Sequence, residues 1–311
     1  FLLLAIVWTW QTTGTLEFRP GGIVSGHFEG WRALLLLALF VFGTGKAALM
    51  PFHHWLPAAM VAPTPVSALL HAVAVVKAGV FTVLKIIVYV FGIEFLTDGN
   101  YALWLCYAAS FTLIAASLVA LTKDNLKARL AYSTISQLSY IVLGAALATK
   151  MSVLGGGMHI AMHAMGKITL FFCAGAVMVA THKTEVSQMA GIGRSMPFTM
   201  LAFLIGALSV IGLPPMGGSW SKWYLALGAA EAHQNIFIAV LMISSLLNIA
   251  YLMPIPARAF FLQSADGSDR NGIKEAPVLC VVPLCLTALG CLVLFFYAGD
   301  LYRLLTPIVR P

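Results

Sequence analysis

Residues 277–298 run for twenty-two positions without a charged side chain. About 20 apolar residues in an α-helix are enough to cross the hydrocarbon core of a bilayer. Comparable runs lie near 32–50, 63–93, 101–121, 128–149, 152–181, 198–230 and 236–257, and the chain opens inside another, FLLLAIVWTW. Hydrocarbon offers no water to an unpaired backbone group, so only helices and closed barrels cross it. Barrel strands alternate lumen and lipid faces over about ten residues, whereas these runs are longer and apolar on every face. The pattern predicts an all-α polytopic membrane protein with about nine transmembrane helices, forming a single membrane domain over residues 1–311.

Composition agrees. Of 311 residues, 60% are hydrophobic and 9% charged, against about 25% charged in a soluble domain. Eighteen Lys and Arg with eleven Asp and Glu cannot furnish a soluble surface of this size. A soluble enzyme and a disordered chain are thereby excluded. The net charge of +7 is scattered rather than gathered into a phosphate-facing stripe, so no nucleic-acid partner is expected; the lipid bilayer is. Cys106, Cys173, Cys280, Cys285 and Cys291 all sit in apolar text with no CxxC. Neither zinc nor an iron–sulfur cluster finds a ligand set, and no GxGxxG occurs. The expectation is a chain with no metal, no cofactor and no redox centre of its own. The start at Phe1, within a run of half the spanning length and with no signal-peptide pattern, reads as a fragment beginning partway through a helix.

Loop charge predicts orientation. One set of alternate loops, 50–62, 122–127, 182–197 and 258–276, holds Lys123, Lys127, Lys183, Arg194, Arg258, Arg270 and Lys274. The other holds Arg19, Lys150, Arg303 and Arg310. The first side is expected to be cytoplasmic.

Two features break the hydrophobic pattern. Pro63 and Pro65 open the 63–93 segment, and Pro214 and Pro215 interrupt 198–230 between glycines. Proline removes a helix donor, and a broken helix in a bilayer survives only inside protein or beside a wet cavity. Interrupted helices in pairs mark transport sites; a kink in a packing helix leaves the same mark. The second feature is Lys46, Lys77, Lys167 and Lys222, all inside apolar text. Each Lys at a helix centre costs about 2.5–3.5 kcal/mol on insertion scales. Lys85 and Lys150 can snorkel, and Lys46 lies within a turn of the Pro51 loop; Lys77 and Lys167 have long apolar stretches on both sides. A buried amine exchanges its proton readily. His159, His163 and Lys167 fall at i, i+4 and i+8 on one helix face. HxxxH also suits a metal or haem, but HExxH and nearby acids are missing. Glu94, Asp98 and Glu231 lie at span ends, so a partner acid is expected upstream. Asp124 or Asn125 is the expected cap of the helix that carries Ser133, Thr134, Ser136 and Gln137. A scaffold bundle without transport predicts instead that all four lysines tolerate Leu or Met.

GKAALMPFHHWLPAAMVAPTPVSALLHAVAVVKAGVF (45–81), LTKDNLKARLAYSTISQLSY (121–140), HIAMHAMGKITLFFCAG (159–175) and IGLPPMGGSWSKWYL (211–225) strongly resemble one family's signatures. These are the antiporter-like membrane subunits of respiratory complex I, of Mrp-type multisubunit cation/proton antiporters and of membrane-bound hydrogenases. The resemblance implies a fourteen-helix inverted-repeat antiporter fold with two discontinuous helices. On it, residues 1–93 end the first repeat, 101–257 form the second and 277–298 the terminal helix. Lys46 matches the central lysine of the first half-channel. Lys77 matches the lysine in the second half of the first broken helix, and His71 the histidine beside that break. His159, His163 and Lys167 match the central relay, and Lys222 the terminal lysine of the second broken helix. The family's partner glutamate for Lys46 is not in this chain. The ending, LMPIPARAFF then KEAPVLCVVPLCLTALG, looks like the D-type subunit of Mrp antiporters. The expected function is proton translocation in a Mrp-type cation/proton antiporter, with complex I or a hydrogenase as the alternative. The implied partners are other membrane subunits, protons and, as a candidate second ion, Na+; the implied location is a bacterial inner membrane.

Overall fold

The computed structural model describes residues 1–263 and 272–309; Arg270 and Arg310 lie outside the described residues. In chain order the principal helices are α1 (Leu2–Thr13), α2 (Gly30–Gly43), α3 (Trp55–Ala58), α4 (Thr64–Phe91), α5 (Leu103–Thr122) and α6 (Leu126–Ala146). Then follow α7 (Lys150–Thr181), α8 (Pro197–Ile211), α9 (Gly218–Glu231), α10 (Asn235–Phe261), α11 (Val278–Phe296) and α12 (Ala298–Leu305). Among the described residues the β contact is an isolated bridge between Asn125 and Glu185.

Among the described residues five helices, α4, α5, α7, α10 and α11, are long and apolar enough to cross a membrane. α6 has 21 residues but is too polar to stand with them. Its position explains why: every residue from Ser133 to Ala146 is buried, so its hydroxyls and amide face protein rather than lipid. α7 packs beside it and touches α4, α8, α9 and α11 as well. The outer helices do the reverse. α11 buries only Leu284, Ala288 and Cys291, and leaves Leu279, Leu286 and Phe296 exposed, so its apolar surface lies on the outside of the bundle.

The loops gather at two ends as their charges predict. Leu126 N donates to Thr184 O, Val186 N to Asp124 O, Gly191 N to Arg258 O and Lys274 N to Ser195 O, and Lys127 Nζ donates to Ala62 O at 2.8 Å. This collects the basic loops. At the other end Thr97 Oγ1 reaches Ala148 O (3.2 Å) and Met151 N reaches Glu231 Oε2 (3.3 Å). Asn125 caps α6 by accepting from Ala128 N. Asp124 instead accepts from the backbone and hydroxyl of Ser187.

Among the described residues two helical runs are interrupted, and one differs from the expectation. α8 ends at Ile211, Gly212 turns at φ 90°, and α9 starts at Gly218; Pro214 and Pro215 lie in that gap. The first break is not at Pro63 and Pro65. Those prolines sit at the N-terminus of α4, where a missing N–H costs nothing because the first turn has no acceptor for it. α4 then continues through π-turns at Leu69–Val73 and Ile87–Phe91. The interruption lies earlier: α2 stops at Gly43, a 3₁₀ turn covers Gly45–Ala47, Ala48 takes φ 53°, and α3 begins at Trp55. Gly30 N meets the Tyr101 hydroxyl and Ala62 O meets Lys127, so this interrupted run joins the two ends of the bundle. Lys77 accordingly lies on continuous α4, not in half of a broken helix. Pro65→Ala is expected to change stability by no more than about 1 kcal/mol, checked by the melting temperature in detergent.

Glycines set the closest approaches. A Cβ on Gly155 would lie 2.8 Å from Leu225 N, and one on Gly228 would lie 2.4 Å from Ser152 N. Gly155 in the second turn of α7 and Gly228 of α9 thus let the two backbones lie against each other.

Candidate functional site

α7 carries the site on one face, because its 3.6-residue period brings positions 159, 163 and 167 into line. His159 is 1% exposed, His163 2% and Lys167 0%. His159 is held on both sides of its ring: Nδ1 pairs with Ser221 Oγ on α9 at 2.8 Å, and Nε2 with Gln137 Oε1 on α6 at 3.0 Å. His163 Nδ1 is in direct contact with Lys77 Nζ of α4. The His159 and His163 rings stack with centroids 5.8 Å apart, and His159 stacks on Tyr140 of α6 at 5.5 Å.

Lys222 closes the line. Its Nζ lies 4.6 Å over the Tyr140 ring and donates to Ile211 O at 2.8 Å and to Ser245 Oγ at 3.3 Å. Ile211 is the last residue of α8, so its carbonyl is one of those a helix C-terminus leaves unpaired, at the negative end of the helix dipole. The break between α8 and α9 therefore supplies an acceptor for the ammonium. From α4 to α9 the order is Lys77, His163, His159, Tyr140, Lys222. Lys167 stands beside this line and donates to Ser133 Oγ at 2.6 Å and Leu130 O at 3.2 Å.

The remaining predicted residues make no hydrogen bond to this line among the described residues. Lys46 is exposed and sits in the 3₁₀ turn after α2. It is not a buried helical lysine, because α2 ends three residues before it. His71 is fully buried on α4 with both ring nitrogens unpartnered, its ring 5.2 Å from Phe171. Pro63 and Pro65 line a cavity of about 600 Å³ at the basic-loop end, together with Lys127, Lys183 and Cys280. Pro214 and Pro215 precede α9 by a few residues and position Lys222 through the turn they occupy.

The sequence motifs did not single out Tyr140, Ser221, Ser245, Asn248 or Tyr251, all of which touch the site. For Tyr140 a signal existed: Ser133, Gln137 and Tyr140 fall at i, i+4 and i+7 on one face of α6. α10 gave no such clue, since its polar residues are few within apolar text.

The arrangement suits one kind of chemistry. Imidazoles and amines exchange protons, and here they are buried in contact or in stacked succession. His163 Nε2, Gln137 Nε2 and Ser209 Oγ are further buried polar atoms without a protein partner. The ion pairs Arg19–Glu17 and Arg303–Asp300 are exposed, and among the described residues no carboxylate pairs with Lys77, Lys167 or Lys222. Nor do three or more His, Cys, Asp or Glu side chains converge as a metal site among the described residues.

Comparison with known proteins agrees with this architecture. The family model for the NADH:quinone oxidoreductase/Mrp antiporter transmembrane region matches residues 1–248. NADH-quinone oxidoreductase subunit N of Desulforudis audaxviator is 33% identical over 307 residues, covering 94% of this chain and 61% of that protein. The chain thus spans about three-fifths of that relative's length. A chain of the Mrp complex from Dietzia sp. DQ12-45-1b superposes with a TM-score of 0.85 over 99% of this chain and 64% of its own, at 22% identity; that likeness is one of fold. A chain of the membrane-bound sulfane sulfur reductase, an archaeal respiratory membrane complex, gives 0.84 over 99% and 62%, at 27% identity. The match over residues 1–248, with buried lysines and histidines on interlocking helices and the interruption ahead of Lys222, makes the conclusion plain: this chain belongs to the NADH:quinone oxidoreductase/Mrp antiporter transmembrane family.

Proposed function

We propose that the chain is the proton-translocating part of a membrane subunit in a Mrp-type monovalent cation/proton antiporter of a bacterial inner membrane. The observation that carries this reading is the succession Lys77, His163, His159, Tyr140, Lys222, buried up to the half-buried Lys222, with Lys167 alongside and no paired acid among the described residues. Protons would move between neighbouring bases, and like charge on adjacent amines would drive the next transfer. Lys46, exposed at the first interruption, would join this path through protein that packs against it. The division into repeats at 1–93 and 101–257, with 277–298 as a terminal helix, belongs to the same proposal. Two interrupted helices, one in each part, support it.

A second reading has its own support. The relationship to NADH-quinone oxidoreductase subunit N covers 94% of this chain, so the same path could be driven by a redox enzyme carried on other subunits. Everted vesicles containing the whole complex separate the two. Proton movement that depends on Na+ favours the antiporter, and movement that depends on NADH and quinone favours the second reading. In either case Lys167→Ala and Lys222→Ala are expected to cut transport at least about tenfold at wild-type protein levels. Full transport by both variants would leave only the scaffold reading.

A further inference from the structure

Lys167 has no exposure and no ion pair among the described residues, so an ammonium there must be balanced by hydrogen-bond acceptors alone. One acceptor is the Leu130 carbonyl. The other, Ser133 Oγ, belongs to a longer chain. Ser133 Oγ lies 2.9 Å from the Tyr251 hydroxyl of α10, and that hydroxyl is in short contact with Asn248 Oδ1 one turn earlier. Ser133, Tyr251 and Asn248 are all fully buried.

Donor and acceptor counting gives this chain a direction. An amide oxygen only accepts, and a phenol has one proton. Tyr251 therefore gives its proton to Asn248 and takes the one from Ser133. Ser133, having used its proton, presents a lone pair to Lys167. The chain ends at an amide that carries no proton onward, so it is an acceptor relay and not a second conduction path. Arg129 Nη1 holds the α10 backbone at the middle member by donating to the Tyr251 carbonyl oxygen at 3.1 Å.

We propose that Asn248 and Tyr251 are positioning residues that hold Ser133 with its lone pair toward Lys167 and so favour the ammonium form of that lysine. This rests on the proton-transport reading above. The titratable groups coupled to Lys167 are His163 on its own helix and His71 and Lys77 on α4; Tyr251 of α10 reaches it through Ser133, Arg129 of α6 is turned to the carbonyls of Lys123 and Tyr251, and the titratable side chains of α11, which also packs on α7, are cysteines. α8 brings no titratable side chain, and α9 brings Lys222 farther along the line. None of these is an acid that could take over the role of the acceptor chain.

The test is the pH dependence of proton transport by the assembled complex in everted vesicles. Tyr251→Phe and Asn248→Leu leave Ser133 Oγ free to turn its lone pair away from the ammonium. The alkaline limb of the profile, where Lys167 gives up its proton, should then move to lower pH by about half a unit or more. Asn248→Asp strengthens the terminal acceptor and should move the same limb to higher pH. Opposite shifts are the expected result, since structural damage alone does not reverse sign. Unchanged profiles, or shifts in one direction for both classes, overturn the proposal. Asn248→Asp and Tyr251→Phe alter few atoms, so both are expected to assemble, and the pair decides the question. Lys167→Ala in the same vesicles tells the two levels apart. Full transport there overturns the proton-transport reading, whereas lost transport with unmoved profiles overturns only the role of Asn248 and Tyr251.

Discussion

Lys77→Met is expected to abolish proton transport while leaving the amount of folded subunit in the membrane unchanged or higher. The two halves of that expectation have separate causes. An amine buried among apolar helices costs about 2.5–3.5 kcal/mol relative to hydrocarbon. Methionine of similar length removes that cost and fills the same space. Against this, His163 Nδ1 loses its contact with Lys77, and an unpartnered buried nitrogen costs about 1–3 kcal/mol. The two nearly cancel, so folding does not require the lysine. Transport does, because Lys77 begins the buried line and is the group that meets His163. Immunoblotting of membranes together with proton uptake by everted vesicles checks both halves. A variant that transports normally would show that Lys77 is tolerated rather than used.

Gly79→Ala is expected to do the opposite and damage the fold first. A Cβ at this position would stand 2.3 Å from Lys46 C and 2.4 Å from Ala47 N. Those atoms are backbone and cannot swing aside. The 3₁₀ turn at Gly45–Ala47, which interrupts the helical run after α2, would have to move off α4. Overpacking of this kind costs about 1–3 kcal/mol, and more when backbone must shift. A lower melting temperature and a lower yield of solubilised protein are therefore expected. Gly299→Ala is the matched control: its Cβ meets nothing within 4 Å, and alanine in a helix gains about 0.5–1 kcal/mol over glycine. Equal melting temperatures for the two variants would show that the close approach at Gly79 has no structural weight.

The contrast between Lys77 and Gly79, two residues apart on one helix, also separates what could be read from sequence. The lysine stood out in the apolar text of 63–93. The lysine was legible as chemistry, because a charge in hydrocarbon is costly wherever it points. The glycine was legible only as a small residue. Its purpose depends on Lys46, thirty-three positions away, whose backbone the fold brings against it. Pro63 and Pro65 illustrate the same limit. Proline weakens a helix interior and suits a helix start, and the residue alone does not say which it occupies. Hydropathy could not tell either, since the apolar text continues across the boundary between α3 and α4.

The sequence by itself determined the membrane class, the helical architecture, the alternation of basic loops and the alignment of His159, His163 and Lys167. Each follows from a local rule: span length, the cost of an unpaired backbone group in lipid, or the helical period. Tertiary structure decided the rest. It placed the first interruption at Gly45–Ala47 and left Lys46 exposed there. It set Tyr140 between His159 and Lys222, gave the Lys222 ammonium the freed carbonyl of Ile211, and turned Asn248 and Tyr251 toward Lys167. These are contacts between helices distant in sequence, and in a bundle whose helices are all apolar no periodic signal says which face meets which. Close packing and the need to satisfy each buried polar group make that choice, and both act only once the helices are assembled.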